Sequence, residues 1–262
     1  MYQKVGVLTG GGDCPGLNAV IRAITKSANS YGMQVTGILD GFRGTVEKLF
    51  IPLDSASVSG ILHRGGTILG TTNRDNPFNY PVASEGKTEL RDVSATVLAN
   101  LQAEGIELLI AIGGDGSLNI AKRFHDLGLP VIGVPKTIDN DLFATDVTFG
   151  YQTAVETARD ALDKLHTTAE SHHRIMVLEV MGRYGGWIAL AAGIAGGADV
   201  VLIPEIPYEL SQICRVINER VNRGKKYSLV IVAEGAKEKG GQMVVDRVLE
   251  GRTDPVKLGG IG

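Results

Sequence analysis

Lys4-Val5-Gly6-Val7-Leu8-Thr9, then Gly10-Gly11-Gly12-Asp13-Cys14-Pro15-Gly16, then Leu17-Asn18-Ala19-Val20-Ile21 reads as a strand, a glycine turn and a helix in immediate succession. The first run is apolar and β-branched. The last places Leu17, Val20, Ile21, Ile24 and Ala28 on one stripe at helical period. Outward from this unit the same alternation continues, with strand-like runs at 34–39, 108–112, 131–134, 174–179, 200–203 and 227–233. The helical segments between them include the longest candidate, 151–168, where Ala154, Ala158, Ala161, Leu162 and Leu165 share a face. Near-continuous apolar strands separated by helices predict parallel sheets covered on both faces, an α/β doubly wound architecture. A polar, turn-rich stretch at 135–146 is the best place for a domain boundary. Beyond 233 lie only a polar turn, a short amphipathic piece at 242–249 and the terminal Leu-Gly-Gly-Ile-Gly, where a parallel sheet would normally continue.

Composition narrows the function. The 262 residues carry 26 Lys+Arg and 29 Asp+Glu, a net charge of −3, which leaves no basic footprint for nucleic acid or an acidic membrane surface. The longest uncharged stretch, 184–198, is too short and too glycine-rich to span a bilayer. No signal peptide precedes the first strand, and the two cysteines, Cys14 and Cys214, make neither a disulfide framework nor a metal spacing. A cytoplasmic protein is expected. The outlier is glycine, 35 residues, and the glycines are clustered.

Ligands of open parallel sheets bind beyond the carboxyl ends of the strands, and here those ends run into unusual segments. Gly10–Gly12 ahead of a helix offer either a phosphate cradle or a tight turn that binds nothing. Gly113-Gly114-Asp115-Gly116-Ser117 puts an acidic residue among phosphate-cradling glycines, with Ser117 expected as a helix N-cap. A carboxylate repels phosphates unless a cation intervenes, so Asp115 is expected to contact Mg²⁺, directly or through water. Pro135-Lys136-Thr137-Ile138-Asp139-Asn140-Asp141 suits phosphoryl transfer to an alcohol: one carboxylate takes the hydroxyl proton and the lysine neutralises charge. A solvated loop is the alternative. Met181-Gly182-Arg183-Tyr184-Gly185-Gly186 and the loop from Gly65 to Arg74 each bring an arginine to a flexible, glycine-rich turn. Gly86-Lys87-Thr88 only imitates the end of a Walker loop, His172-His173 reads as a helix-to-strand connection, Trp187 as core and Lys225-Lys226 as a solvated turn.

Taken in order, GGGDCPGLNAVIRA, GGTILGTTNRDNPF, IGGDGS, PKTIDND and MGRYGGWIA resemble the phosphofructokinase family over essentially the whole chain. The resemblance implies two doubly wound α/β domains with the active site in the cleft between them: 1–138 binding the phosphoryl donor and 139–262 the sugar phosphate. It further implies ATP-dependent phosphorylation of fructose 6-phosphate at its 1-hydroxyl, in a homo-oligomer, dimer or tetramer. Carried over by motif, Asp139 is the general base, with Lys136 and Thr137 as its catalytic neighbours. Gly11, Gly12, Arg74, Gly114, Asp115, Gly116 and Ser117 surround the donor phosphates, with Asp115 at the magnesium position. Thr137, Asp139, Asp141, Met181, Gly182, Arg183 and Glu234 form the fructose 6-phosphate pocket, and Arg174 reaches that of a neighbouring subunit.

Three features depart from the bacterial allosteric pattern. Lys136 stands where the ATP enzymes have glycine and is typical of pyrophosphate-dependent and mixed members. Ser55, His166 and Asp199 alter the effector site, although Arg22 and Lys26 keep its basic character. Family members also run tens of residues longer, so the C-terminal part of the fold is expected to be missing here. The alternatives are therefore a pyrophosphate-dependent fructose 6-phosphate 1-phosphotransferase and a truncated, non-catalytic sugar-phosphate-binding homologue. Gly116 favours ATP, since pyrophosphate users resemble this sequence but carry an acidic residue there.

Overall fold

In chain order the elements are β1 (Lys4–Gly10), α1 (Leu17–Ser30), β2 (Gln34–Ile38), α2 (Phe42–Glu47), β3 (Phe50–Leu53), a 3-10 turn Pro77–Asn79, β4 (Tyr80–Ser84), β5 (Lys87–Arg91), α3 (Ser94–Ala103), β6 (Leu108–Gly113), α4 (Asp115–Asp126), β7 (Val131–Thr137) and β8 (Phe149–Gly150). There follow α5 (Tyr151–His172), β9 (Ile175–Val180), α6 (Trp187–Ala195), β10 (Val200–Leu202), α7 (Leu210–Asn222), β11 (Ser228–Ala233), β12 (Val245–Val248) and β13 (Val256–Leu258). This computed structural model describes residues 2–84, 87–248 and 256–262. The chain divides into two units, Met1–Thr137 with Thr148–Gly150, and Ile138–Val147 with Tyr151–Gly262.

The first unit is built on a six-stranded sheet of order β3-β2-β1-β6-β7-β8, parallel except for the edge strand β3. β1 is buried from Val5 to Gly10 because it lies inside the sheet with both faces covered. One of those faces packs Leu8, Ile38 and Leu109 against Val97 and Leu101 of α3 and Phe124 of α4. Buried Asn100 fastens α3 to α2, donating to the Thr45 and Val46 carbonyls at 2.9 and 3.0 Å. The chain leaves β1 for β2 on one side and later returns to β6 on the other. That reversal of strand order marks the place where doubly wound sheets hold ligands. Gly10 and Gly113, register partners at the ends of β1 and β6, stand there.

In the second unit three parallel strands run β10-β11-β9. β11 is buried throughout, and Ile231 and Ala233 pack with Ile188, Ala189 and Ala192 of α6 and Ala158 of α5. The alanines let α5 and α6 approach the sheet closely. Antiparallel hairpins β4–β5 and β12–β13 complete the elements.

Several expectations are corrected. β7 does not stop at Val134 but continues through Thr137, because Lys136 and Thr137 pair with Phe149 and Gly150. Pro135 is tolerated since β8 begins only opposite Lys136, so β7 is still an edge at the proline. β9 is not covered on both faces: Ile175 and Val177 are 53% and 48% exposed. The 242–249 piece contributes β12 to a hairpin, with Leu249 outside the described residues, as is Gly86 of the Walker-like imitation. Trp187 is 47% exposed while Ile188 and Ala189 behind it are buried, so the tryptophan is not core. Among the described residues no helix is long and apolar enough to cross a membrane.

Candidate active site

At the switch point of the first unit, backbone does most of the construction. Gly11 has φ +81° and donates its N–H to the Thr72 carbonyl at 3.0 Å, while Thr71 Oγ1 donates to the Gly11 carbonyl at 2.6 Å. The Arg74 loop is thereby fastened to the first glycine loop, and Arg74 itself is exposed. Nothing lies within 4 Å of where a Cβ would stand on Gly12, which leaves room above that backbone. α4 begins at Asp115, with Gly114 as its N-cap, so Ser117 is not the cap. Its side chain turns inward, buried against the two strand ends: a Cβ on Gly10 or Gly113 would stand 2.5 or 2.8 Å from Ser117 Oγ. Glycine is required at both strand ends for that reason. The helix thus presents its amino end, the favourable pole for an anion, beside the first glycine loop.

Asp115 is exposed in the first turn of α4, with Oδ2 accepting from Asn119 Nδ2 at 3.2 Å. Among the described residues no group of three or more His, Cys, Asp or Glu could hold a metal ion. One carboxylate beside a phosphate cradle nevertheless fits Mg²⁺, which keeps its waters and takes one or two protein carboxylates plus substrate phosphates.

Lys136 is 5% exposed, and its ammonium donates to the Gly12 carbonyl. Burial pushes its pKa below the usual lysine range, against the opposing pull of the Asp13 carboxylate. Cys14 is also buried and has its thiol pushed up to about 11 by desolvation, so it stays protonated. Thr137 closes the first unit's sheet, its carbonyl accepting from Thr148 Oγ1 at 2.6 Å.

The second unit assembles the carboxylates. Burial raises the Asp139 pKa to about 6, helped by the charges of Asp141 and Glu234 and opposed by Arg183. Glu234 is itself raised, first by burial and then by Glu179, while Arg183 and a backbone bond from Gly182 pull it down. Glu234 follows β11 and Met181 follows β9, so the pairing of those strands brings the two segments together. Glu234 N–H donates to the Val180 carbonyl at 2.9 Å, and Gly235 N–H to that of Gly182 at 3.1 Å. Gly182 takes φ +138°, and a Cβ there would stand 2.7 Å from the Gly185 carbonyl oxygen. A Cβ on Gly235 would collide with the Arg183 carbonyl and lie 2.8 Å from Arg183 Cα. Gly235→Ala is therefore expected to cost about 1–3 kcal/mol of stability by overpacking. It should also displace the Arg183 backbone, and urea titration measures the loss of stability.

Thus Asp141, Glu234 and Arg183 all act electrostatically on Asp139, Arg183 acts on Glu234 as well, and Met181 and Gly182 adjoin them. Arg174 is not brought to this cluster. It precedes β9 while Met181 follows it, and a strand of that length separates its ends by about 20 Å. Sequence reasoning missed Asn18 and Thr9, both buried and both bonded to the loop that carries Arg74. The only signal was a polar residue beside the apolar stripe of α1 and another inside an apolar strand.

The phosphofructokinase family profile, described as Phosphofructokinase, matches residues 4–258. The chain belongs to that family. It is 58% identical over 261 residues to ATP-dependent 6-phosphofructokinase 2 of Clostridium perfringens, covering 99% of this chain and 71% of that protein. It is 51% identical over 262 residues to the pyrophosphate–fructose 6-phosphate 1-phosphotransferase of Streptomyces coelicolor, 99% of this chain and 73% of that one. The crystal structure of Pichia pastoris phosphofructokinase in the T-state superposes with a TM-score of 0.80 at 34% identity, covering 91% of this chain and 28% of that one.

Proposed function

We propose that this phosphofructokinase transfers the γ-phosphoryl group of ATP to the 1-hydroxyl of fructose 6-phosphate, a step of glycolysis carried out in the cytoplasm. The observation that carries the reading is Asp139, a half-buried carboxylate whose pKa of about 6 suits a base working near neutrality. In this scheme Asp139 takes the proton of the 1-hydroxyl as the sugar oxygen attacks the γ-phosphorus and ADP leaves. Gly11, Gly12, Gly114, Gly116, Ser117 and Arg74 in the first unit hold the donor phosphates. In the second unit Asp141, Met181, Gly182, Arg183 and Glu234 hold the sugar phosphate, and Thr137 adjoins the reacting centre. Asp115 would hold Mg²⁺, which when bound offsets the charge of the donor phosphates. Arg174, at the far end of β9, is assigned to the sugar phosphate of a neighbouring subunit in a homo-oligomer, dimer or tetramer.

Lys136 and the Streptomyces coelicolor relative favour a second reading, with pyrophosphate as donor. A binding-only homologue is disfavoured, since a pocket that merely binds has no need for Asp139 beside Lys136 and Asp141. Spectrophotometric assay with fructose 6-phosphate, offering ATP and pyrophosphate separately, should show turnover with ATP. Turnover with pyrophosphate alone would reverse the assignment of the donor.

A further inference from the structure

We infer that Asn18, assisted by Thr9, is a positioning residue for the phosphoryl donor, clamping the loop of Arg74 to the helix that follows the first glycine loop. The inference rests on the donor site proposed above. Asn18 is the second residue of α1, 1% exposed, and every polar atom of its amide is spent on one loop. Nδ2 donates to the carbonyls of Arg64 and Gly65 at 3.1 and 3.2 Å, and Oδ1 accepts from Ile68 N–H at 2.8 Å. The amide therefore grips the loop on both sides of Gly66, whose φ of +67° turns it back. Asparagine meets this demand because it offers two donors and an acceptor in one plane.

Thr9 supplies the second grip, from inside β1. Its hydroxyl donates to the Gly70 carbonyl at 2.8 Å and stands 3.0 Å from Thr67 Oγ1. Between the grips, buried Leu69 anchors the loop, its carbonyl accepting from Asp40 N–H at 2.8 Å. The next residues reach the site. Thr71 and Thr72 bond Gly11 as described, Thr72 Oγ1 donates to Asp75 Oδ2 at 2.7 Å, and Arg74 N–H donates to Thr72 Oγ1 at 3.2 Å. One continuous set of bonds thus runs from Asn18 to the backbone of Arg74 and to the amide of Gly11. A shift of the loop would move the arginine and the glycine cradle together.

Asn18→Ala tests this. Losing the arginine's hold on a phosphate should raise KM for ATP about tenfold to a hundredfold, the usual size of a hydrogen bond to a charged group. KM for fructose 6-phosphate should stay within about twofold, and in an Arg74→Ala background Asn18→Ala should add under about twofold to KM for ATP. Equal rises for both substrates, or an additive effect in the double variant, would reduce Asn18 to a general stabiliser and overturn the proposal. If Asn18→Ala does not fold, Thr67→Val on the half-exposed loop carries the same split. Amide exchange gives a readout independent of activity: Asn18→Ala should speed exchange at Gly11, and unchanged exchange there rejects the clamp. If the unsubstituted enzyme shows no ATP-dependent turnover, the functional reading falls, and the exchange measurement still decides the clamp.

Discussion

Asp139→Asn is expected to lower kcat roughly 10²–10⁴-fold, the usual loss when a general base is removed. The amide keeps the size and planarity of the carboxylate, so KM for fructose 6-phosphate should move far less. The pH profile gives a second, independent signature. With a pKa of about 6, the carboxylate is ionised at neutral pH and protonated as pH falls through that value, so kcat/KM should fall on the acidic side. That limb should vanish in the Asn variant, leaving only its low residual rate. Stability should move the opposite way. A carboxyl whose folded pKa lies above its unfolded value of 3.8 contributes stability below pH 3.8 that is lost as pH rises through about 6. At pH 7 the ionised, half-buried Asp139 is therefore a net cost, and Asn should raise stability by roughly 1–3 kcal/mol, an advantage that disappears near pH 3–4. Urea titrations at the two pH values measure it. An Asn variant with near-normal kcat, or an acidic limb that survives the substitution, removes Asp139 from the mechanism.

Much of this arrangement is legible in the chain itself, and the legible part is local. The strand, glycine turn and helix from Lys4 to Ser30 follow from period and composition alone, and so do the long α5 and the buried β11. What could not be read depends on partners distant in sequence. β7 extends to Thr137 only because Phe149 and Gly150 come alongside. The cap of α4 falls on Gly114 because Ser117 is drawn inward against Gly10 and Gly113, a packing that no local propensity encodes. Asp139 owes its raised pKa partly to Glu234, which β11 delivers from almost a hundred residues away. The same holds for Asn18. In sequence it is one polar residue on a helix, and its meaning appears only when the loop from Arg64 to Ile68 closes around its amide.

The choice of phosphoryl donor should turn on Gly116, and Gly116→Asp is expected to abolish most ATP use. Gly116 is the second residue of α4, half-buried, at the amino end of the helix beside Gly114 and Asp115. In the donor site proposed above, a side chain there would fill the space assigned to the α-phosphate of ATP, and a carboxylate would repel that phosphate as well. The substitution is unlike most that kill activity, because the fold should tolerate it. An acidic residue in a first helical turn is favoured by the helix dipole, and replacing glycine inside a helix gains roughly 0.5–1 kcal/mol. Loss of ATP turnover with an undiminished Tm would therefore be a loss of donor binding, and pyrophosphate, which has no α-phosphate, should be affected much less. Lys136 is the competing determinant, but its buried ammonium bonds the Gly12 carbonyl and so braces the cradle from within. Lys136→Gly should accordingly lower turnover while leaving ATP the preferred donor. A Gly116→Asp enzyme that still uses ATP well, or a Lys136→Gly enzyme that changes its preference, would transfer the decision to the lysine. Steric exclusion is the harder of the two effects to evade, since a point charge braced in the cradle can neutralise the terminal phosphate of either donor whereas a filled space admits only the smaller one.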